Sequence, residues 1–328
     1  MTTSPFPVGV VVITRNRRER VLRSLDRLGG LPEAPPIVVV DNASRDGTVP
    51  AVRARHPGVR VLPLGSNEGA VARNHGVLAL DTPYVAFSDD DSWWHPGALT
   101  EAASLFSAHP RLGLLAAATR VGPDGATDPL DAVLAGSPLG TAPDLPGPSV
   151  LGFLACAAIV RRSAFLEAGG FHPLLHFGAE ETLLALDLVA RGWGVAHCPW
   201  VVAHHHPDPG PRPGRSARVR RNELLTTWLR RPWTHAAAAT ARLARDAVRC
   251  AEARAAFLSV LPLLPAAVHH RRPVPRWLEA DLRLLARHPE VAPTARPPDM
   301  PVECHSCTVP GTGTHRARRP SKRESDPQ

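Results

Sequence analysis

The first 120 residues alternate short apolar runs with segments of helical period, and that alternation constrains the fold more than anything else in the chain. "VGVVVIT" (Val8–Thr14), "IVVVD" (Ile37–Asp41), "VRVLPL" (Val59–Leu64) and "YVAFS" (Tyr84–Ser88) read as strands. After the first, Val21, Leu22, Leu25 and Leu28 recur at helix spacing, and Gly29-Gly30 ends that helix. "PAVRARHP" and "AVARNHGVLAL" supply two more helices. A strand apolar at consecutive positions must be covered on both faces, and helices between strands provide that cover. The expected fold is therefore α/β: a mostly parallel sheet flanked by helices.

The rest of the chain divides by composition. Residues 120–149 are rich in Pro, Gly, Asp and Ala and read as a long loop. "SVLGFLACAAIVRRSAFLEAGGF" returns to strand and helix. "EETLLALDLVARGW" (Glu180–Trp193) is an amphipathic helix ending at Gly192, and "VAHCPWVVAHHH" adds short strands. From Arg215 to about Leu285 the pattern is helical. We expect an α/β domain over 1–210, a helical extension over 211–292 and a polar, Pro-rich, disordered tail over 293–328.

Charge separates the same parts. Residues 1–207 hold 16 Arg against 19 acidic residues, whereas 208–287 hold 16 Arg against 6. The net charge of +8 thus belongs to the extension. Two uses stay open for it: packing on the α/β domain, or peripheral contact with an anionic membrane surface. No groove-reading motif accompanies the arginines, so nucleic acid is not an expected partner. "AAFLSVLPLLPAAV" is expected to be too short and too broken by proline to span a bilayer. The N-terminus lacks the order of a signal peptide, and the five cysteines are odd in number and scattered. Cys304 and Cys307 have no second pair with which to hold zinc. The expected location is the cytoplasm, with the inner face of the membrane as the alternative setting.

Ligands of open α/β sheets sit beyond the carboxyl ends of the strands. There the chain carries Thr14-Arg15-Asn16, then "DNASRDGT" (Asp41–Thr48), then "GSNEGAVARN" (Gly65–Asn74), then Asp89-Asp90-Asp91. Four polar turns in series point to one crevice. Three adjacent carboxylates at the end of a buried strand repel each other and require positive charge nearby. On these residues alone, a cation site and an acidic turn capping the next helix both remain open.

"VVITRNR", "VVDNASRDGT", "NEGAVARNHG", "FSDDDSWW", "GAEETLLALDLVARGW" and "VVAHHHP", in this order, resemble the inverting family 2 glycosyltransferases of GT-A fold. The resemblance runs over about residues 8–231. It implies metal-dependent transfer of a sugar from a nucleotide-diphosphate sugar to an acceptor hydroxyl, on a glycan, a lipid-linked saccharide or a small molecule. Asp91 would hold Mn²⁺ or Mg²⁺, which would supply the missing positive charge. Asp89 would reach the ribose, or the metal through water, and His204 would be the histidine near metal and diphosphate. Thr14, Asn16 and Asp41 would line the base and ribose pocket. Arg73 would face the phosphates, with pairing to Asp41 or Asp89 as the alternative. Glu181 or its neighbour Glu180 would be the general base, and Trp93 would meet the acceptor or fill the core. Arg221-Asn222 matches a pair the family often carries. Glu181 stands where the family usually has Asp, and Leu183 and Asp187 depart from its common Asp and Arg. Two rivals are a sugar nucleotidyltransferase, whose glycine-rich N-terminal loop "VVITRNR" lacks, and a non-catalytic nucleotide-sugar-binding module.

Overall fold

The computed structural model describes residues 6–208, 210 and 213–288; the expected disordered tail, with Cys304 and Cys307, lies outside them. Strand β1 (Val8–Thr14) is buried at every position. Val8, Val10 and Val12 join one apolar cluster, and Val11 and Ile13 join another. That is the two-residue alternation of a strand covered on both faces. Helix α1 (Arg18–Gly29) lays Val21, Leu22, Leu25 and Leu28 on the first cluster. Strand β2 (Ile37–Asp41), helix α2 (Thr48–Arg55), strand β3 (Arg60–Pro63), helix α3 (Ala72–Leu78) and strand β4 (Tyr84–Asp89) follow. The order β3-β2-β1-β4 is parallel throughout. Its register pairs Thr14 with Asp41 and Ile13 with Asp89. The polar strand ends therefore lie side by side.

Beyond β4 the sheet is mixed. The elements are β5 (Ser92–Trp94), α4 (Ala98–Ala108), β6 (Leu112–Val121), β7 (Ala126–Thr127), α5 (Pro129–Ala135), β8 (Ala158–Arg161), α6 (Arg162–Ala168), α7 (Glu181–Val189) and β9 (Gly194–His205). The sheet continues β8-β6-β9-β5, with β7 on β6. β8 runs antiparallel to β4 and β6, β9 parallel to β6, and β5 antiparallel to β9. The last pair sets His205 opposite Ser92, the residue after Asp91.

Residues 120–149 are not simply a loop, since they hold β7 and α5. The Asp128 carboxylate accepts the Leu130 N–H at 2.8 Å, and Pro129 fills the first turn, where its missing N–H costs nothing. Asp131 then accepts the Thr119 N–H at 3.0 Å, which folds this segment back on β6.

The extension consists of α8 (Arg215–Arg230), α9 (Trp233–Arg249), α10 (Ala251–Val260), α11 (Leu264–His269) and α12 (Arg276–Arg287). It shares its core with the α/β part. Leu175 and Leu183 cluster with Leu224, Leu225 and Leu229, and Leu151 and Leu186 cluster with Leu278 and Leu285. Each such leucine contributes about 1.5–3 kcal/mol on burial, so these shared clusters hold α8 and α12 firmly against the elements around α7. Proline at 262 and 265 predicts a broken helix. Instead each proline falls in the first turn of a new helical segment, and the path from Ala251 to His269 is unbroken. These 19 residues, of mean hydropathy 1.4, are long and apolar enough to cross a membrane by length and composition alone.

Candidate active site

Each aspartate of the triplet meets an arginine. Arg73 Nη2 donates to Asp89 Oδ1 at 2.5 Å. Arg17 Nη1 donates to Asp90 Oδ1 at 3.0 Å and to Asp91 Oδ2 at 3.2 Å. Arg20 Nη1 lies 3.7 Å from Asp91 Oδ2. Asp208 holds Arg17 and Arg20 from the other side. The positive charge assigned above to a metal thus comes first from three guanidinium groups. Sequence inspection missed Arg17 and Arg20; the signal was their spacing across the first turn of α1, directly behind the first polar strand end.

The two inner aspartates differ. Asp90 is buried, and burial lifts its carboxyl to about 7 against the pull of Arg17. The Thr14 hydroxyl donates to its Oδ2 at 3.1 Å. For Asp91, burial also pushes upward, but the His205 hydrogen bond and the charges of His205, Arg17 and Arg20 outweigh it and hold the carboxyl below its usual range. Asp91 is therefore the more acidic member of the pair.

His205 Nε2 lies 3.5 Å from Asp91 Oδ1. His204, the residue expected here from its spacing, lies elsewhere. Strand alternation turns it to the other side, where it stacks on Trp93 at 5.5 Å and meets His95 Nδ1 at 3.2 Å. Trp93 also packs on His206 at 4.6 Å and lies under the Arg27 guanidinium, so its ring is committed to this aromatic and histidine stack. Among the described residues no group of three or more His, Cys, Asp or Glu is assembled as a metal cage. A hard divalent cation does not require one, because it keeps waters and phosphate oxygens and uses one or two carboxylates. Asp91 with His205, and Asp89 close by in sequence, fits that open donor set.

On the nucleotide side the three expected residues separate. Asp41 is buried at the end of β2; its Oδ2 accepts the Ser44 N–H at 2.9 Å, and its Oδ1 has no hydrogen-bond partner. A buried acceptor left unpaired costs on the order of 1–3 kcal/mol, and a ligand donor would recover it. Thr14 spends its hydroxyl on Asp90. Asn16, at φ 52°, ties the first two polar loops together: its N–H donates to Ser44 Oγ at 2.8 Å, and its Oδ1 accepts the Arg45 N–H at 2.8 Å. Thr14 and Asn16 are engaged in hydrogen bonds within the protein, whereas Asp41 presents a spare atom.

Arg73 is 1% exposed and is not turned to solvent, as a phosphate ligand would be. Its Nη1 lies 3.7 Å from Glu180 Oε1 while Nη2 holds Asp89. A guanidinium this buried takes the nearest carboxylates, and of the two pairings expected for it the one with Asp89 is present. One cation thereby links the donor-side aspartate to the glutamates at the start of α7. Glu180 is 3% exposed, and its Oε2 accepts the Gly178 N–H. Glu181 opens the helix and keeps some exposure. Burial pushes both carboxyls upward, with Arg73 opposing.

The loop that delivers these glutamates is strained and clamped. His176, Gly178 and Ala179 sit at φ 57°, 97° and 61°. Left-handed non-glycine residues cost about 1–3 kcal/mol each and persist only where the surroundings enforce them. From one side, the His176 carbonyl accepts the Ala70 N–H at 2.6 Å, and a side chain on Gly69 (φ 62°) would strike that same carbonyl. From the other, the buried Asn222 amide of α8 donates to the carbonyls of Leu175 at 2.7 Å, Phe177 at 3.2 Å and Gly178. Arg221 adds a bond to Leu175 O at 3.1 Å. The Arg221-Asn222 pair, recognised by its resemblance alone, here has a physical task.

Comparison with known proteins agrees with this geometry. Residues 9–169 match the model of glycosyl transferase family 2. Over 231 residues the chain is 31% identical to the N-acetylglucosaminyl-diphospho-decaprenol L-rhamnosyltransferase of Mycobacterium tuberculosis, covering 60% of this chain and 75% of that protein. It is 31% identical over 210 residues to the pre-mycofactocin glycosyltransferase of the same organism, covering 61% of this chain and 43% of that one. Among solved structures, the mannosyltransferase PcManGT from Pyrobaculum calidifontis, in complex with GDP-Man and Mn²⁺, superposes with a TM-score of 0.53 at 22% identity, over 87% of this chain and 80% of that chain. Residues 1–349 of S. aureus TarS with UDP-GlcNAc give 0.56 at 16% identity, over 88% and 89%. At such identities the structures speak to the fold, which is GT-A. The chain belongs to glycosyl transferase family 2 and is a glycosyltransferase that uses a nucleotide sugar.

Proposed function

We propose that the enzyme transfers its sugar with inversion to the hydroxyl of a lipid-linked saccharide, with Mn²⁺ or Mg²⁺ bound at Asp91 and His205. The observation that carries the reading is Arg73, one buried guanidinium between Asp89 and Glu180. It joins a strand end suited to the donor to a helix start suited to a base. The cation, when bound, would neutralise the departing diphosphate. Asp41 and Asp89 would take the nucleoside through its base and ribose hydroxyls.

Glu181 is the preferred base. Glu180 is spent on the Gly178 N–H and on Arg73, whereas Glu181 keeps some exposure. A carboxyl raised by burial removes an acceptor proton more readily than an ordinary one, because its affinity for the proton is closer to what neutral pH requires. Arg73 limits the repulsion among Asp89, Glu180 and Glu181, so that the base can stay ionised. The lipid-linked acceptor is supported by the rhamnosyltransferase relative, whose name carries a diphospho-decaprenol acceptor.

The test is a transfer assay. The protein is incubated with UDP-, GDP- and dTDP-sugars, Mn²⁺ and a polyprenyl-diphosphate N-acetylglucosamine, and the lipid is analysed by mass spectrometry. A mass increase of one sugar with one donor class is expected. Nucleotide-sugar binding without transfer, across donors and across soluble and lipid acceptors, would replace the enzyme by a binding module.

A further inference from the structure

From Ala255 to Val268 the chain carries no charged residue, and the helical path through α10 and α11 does not break there. At about 100° per residue, Leu258, Leu261, Pro262, Pro265 and Val268 fall on one face of that path. All five are exposed. Leu258 is 59% exposed, Leu261 43% and Val268 43%. The opposite face is committed, since Ala253, Ala256, Val260 and Ala267 are buried in the cluster with Leu224, Leu225 and Leu229. The helix is therefore anchored, and its apolar stripe has no partner among the described residues. By length the uncharged stretch runs about 20 Å.

Charge marks both ends of the stripe. Arg254 lies on the same face before it, His269 after it, and the exposed Arg272 just beyond, whereas Arg271 is turned inward to the Trp228 and Arg231 carbonyls. The whole segment 208–287 holds 16 Arg against 6 acidic residues. A second copy of the chain would set basic ends against basic ends in either orientation. A transmembrane path would strip Ala253, Ala256, Val260 and Ala267 out of their core. An anionic lipid surface satisfies the apolar stripe and the basic ends together.

We propose that this face is a membrane contact, with the helix lying in the plane of an anionic bilayer. Leu258, Leu261 and Val268 enter the boundary of the acyl region, and the flanking arginines meet headgroup phosphates. This docking would hold the active site near a lipid-linked acceptor, but it stands on the helix alone and can be measured without donor or acceptor.

The experiment is vesicle flotation of the full chain. Vesicles of phosphatidylcholine with phosphatidylglycerol should carry the protein at low salt. Vesicles of phosphatidylcholine alone, or high salt, should carry roughly tenfold less or lower. The double variant Leu258→Glu, Leu261→Glu places charge on exposed positions only. It should keep its melting temperature and lose flotation by a similar factor. Absence of flotation at low salt overturns the proposal. So does a dimer in sedimentation that the double variant converts to monomer without any lipid binding, which assigns the face to a second copy. Resistance to alkaline carbonate extraction overturns the in-plane placement. None of these results bears on whether the enzyme transfers sugar.

Discussion

Arg230 grips Asp187 with two parallel hydrogen bonds, Nε to Oδ1 at 2.5 Å and Nη2 to Oδ2 at 2.8 Å, and both side chains are buried. Asp187 lies in α7, the helix that Glu181 opens, and Arg230 closes α8. The departure at 187 from the family's common arginine therefore has a partner of opposite sign on the extension. The pair fixes the axis of the helix that carries the proposed base, Glu181. Replacing Asp187 by Ala leaves a buried guanidinium unpaired and should cost about 3–5 kcal/mol in urea unfolding. The double variant Asp187→Leu, Arg230→Met should lose much less than the two single variants together. Additive losses would show that the two side chains are not coupled.

The Asn222 clamp makes a separate kinetic prediction. Asn222→Ala removes the one amide that donates to three carbonyls of the loop that carries Glu180 and Glu181, without touching Asp41 or Asp91. Turnover should fall about tenfold or more while KM for the donor stays close to that of the parent. Asn222→Asp should be worse, because a carboxylate would face carbonyl oxygens. A rise in donor KM at unchanged kcat would mean that the clamp serves the nucleotide rather than the base.

The metal prediction discriminates between two histidines. A nucleotide diphosphate that binds only the folded protein stabilises it by about 2.7 kcal/mol at 100 times its Kd. That stabilisation should appear with Mn²⁺ and shrink with EDTA. Asp91→Ala should abolish the difference, His205→Ala should reduce it, and His204→Ala should leave it. Equal thermal shifts with Mn²⁺ and EDTA in the parent would remove the metal from the reading.

Much of this architecture was legible from local pattern. Strand burial and helix period are local, so Thr14, Asp41 and Asp89 could be read as strand ends, and the register sets them side by side. Partners far apart in the chain were not legible: Arg17 and Asp90 are 73 residues apart, and nothing local signals their pairing. The choice among His204, His205 and His206 was not legible for a different reason. His204 was matched by its spacing from Val201-Val202, and that spacing carries no information on the partner strand: β5 sets His205 opposite Ser92, next to Asp91. In α5 the Asp128-Pro129 cap was present but was masked by the loop-like composition around it.

The last prediction concerns the base. Glu181→Gln keeps the side chain's shape and removes its proton acceptor. Donor binding should hardly change, and turnover should fall by about 10²-fold or more. The pH profile adds a sign. Burial raises the folded-state affinity of both carboxyls for protons, so the base must lose its proton at a higher pH than an ordinary glutamate. In the parent, kcat should therefore fall as pH drops through that raised value, earlier than an unperturbed carboxylate would dictate. In Glu181→Gln the residual rate should lack this acidic limb. In Glu180→Gln the limb should persist and move to lower pH, because the repulsion between neighbouring carboxylates is gone. If the limb vanishes in Glu180→Gln and persists in Glu181→Gln, the roles of the two are exchanged. If both variants transfer at the parent rate, the base does not lie on α7, and Arg73 bridges Asp89 and Glu180 only to hold the fold together.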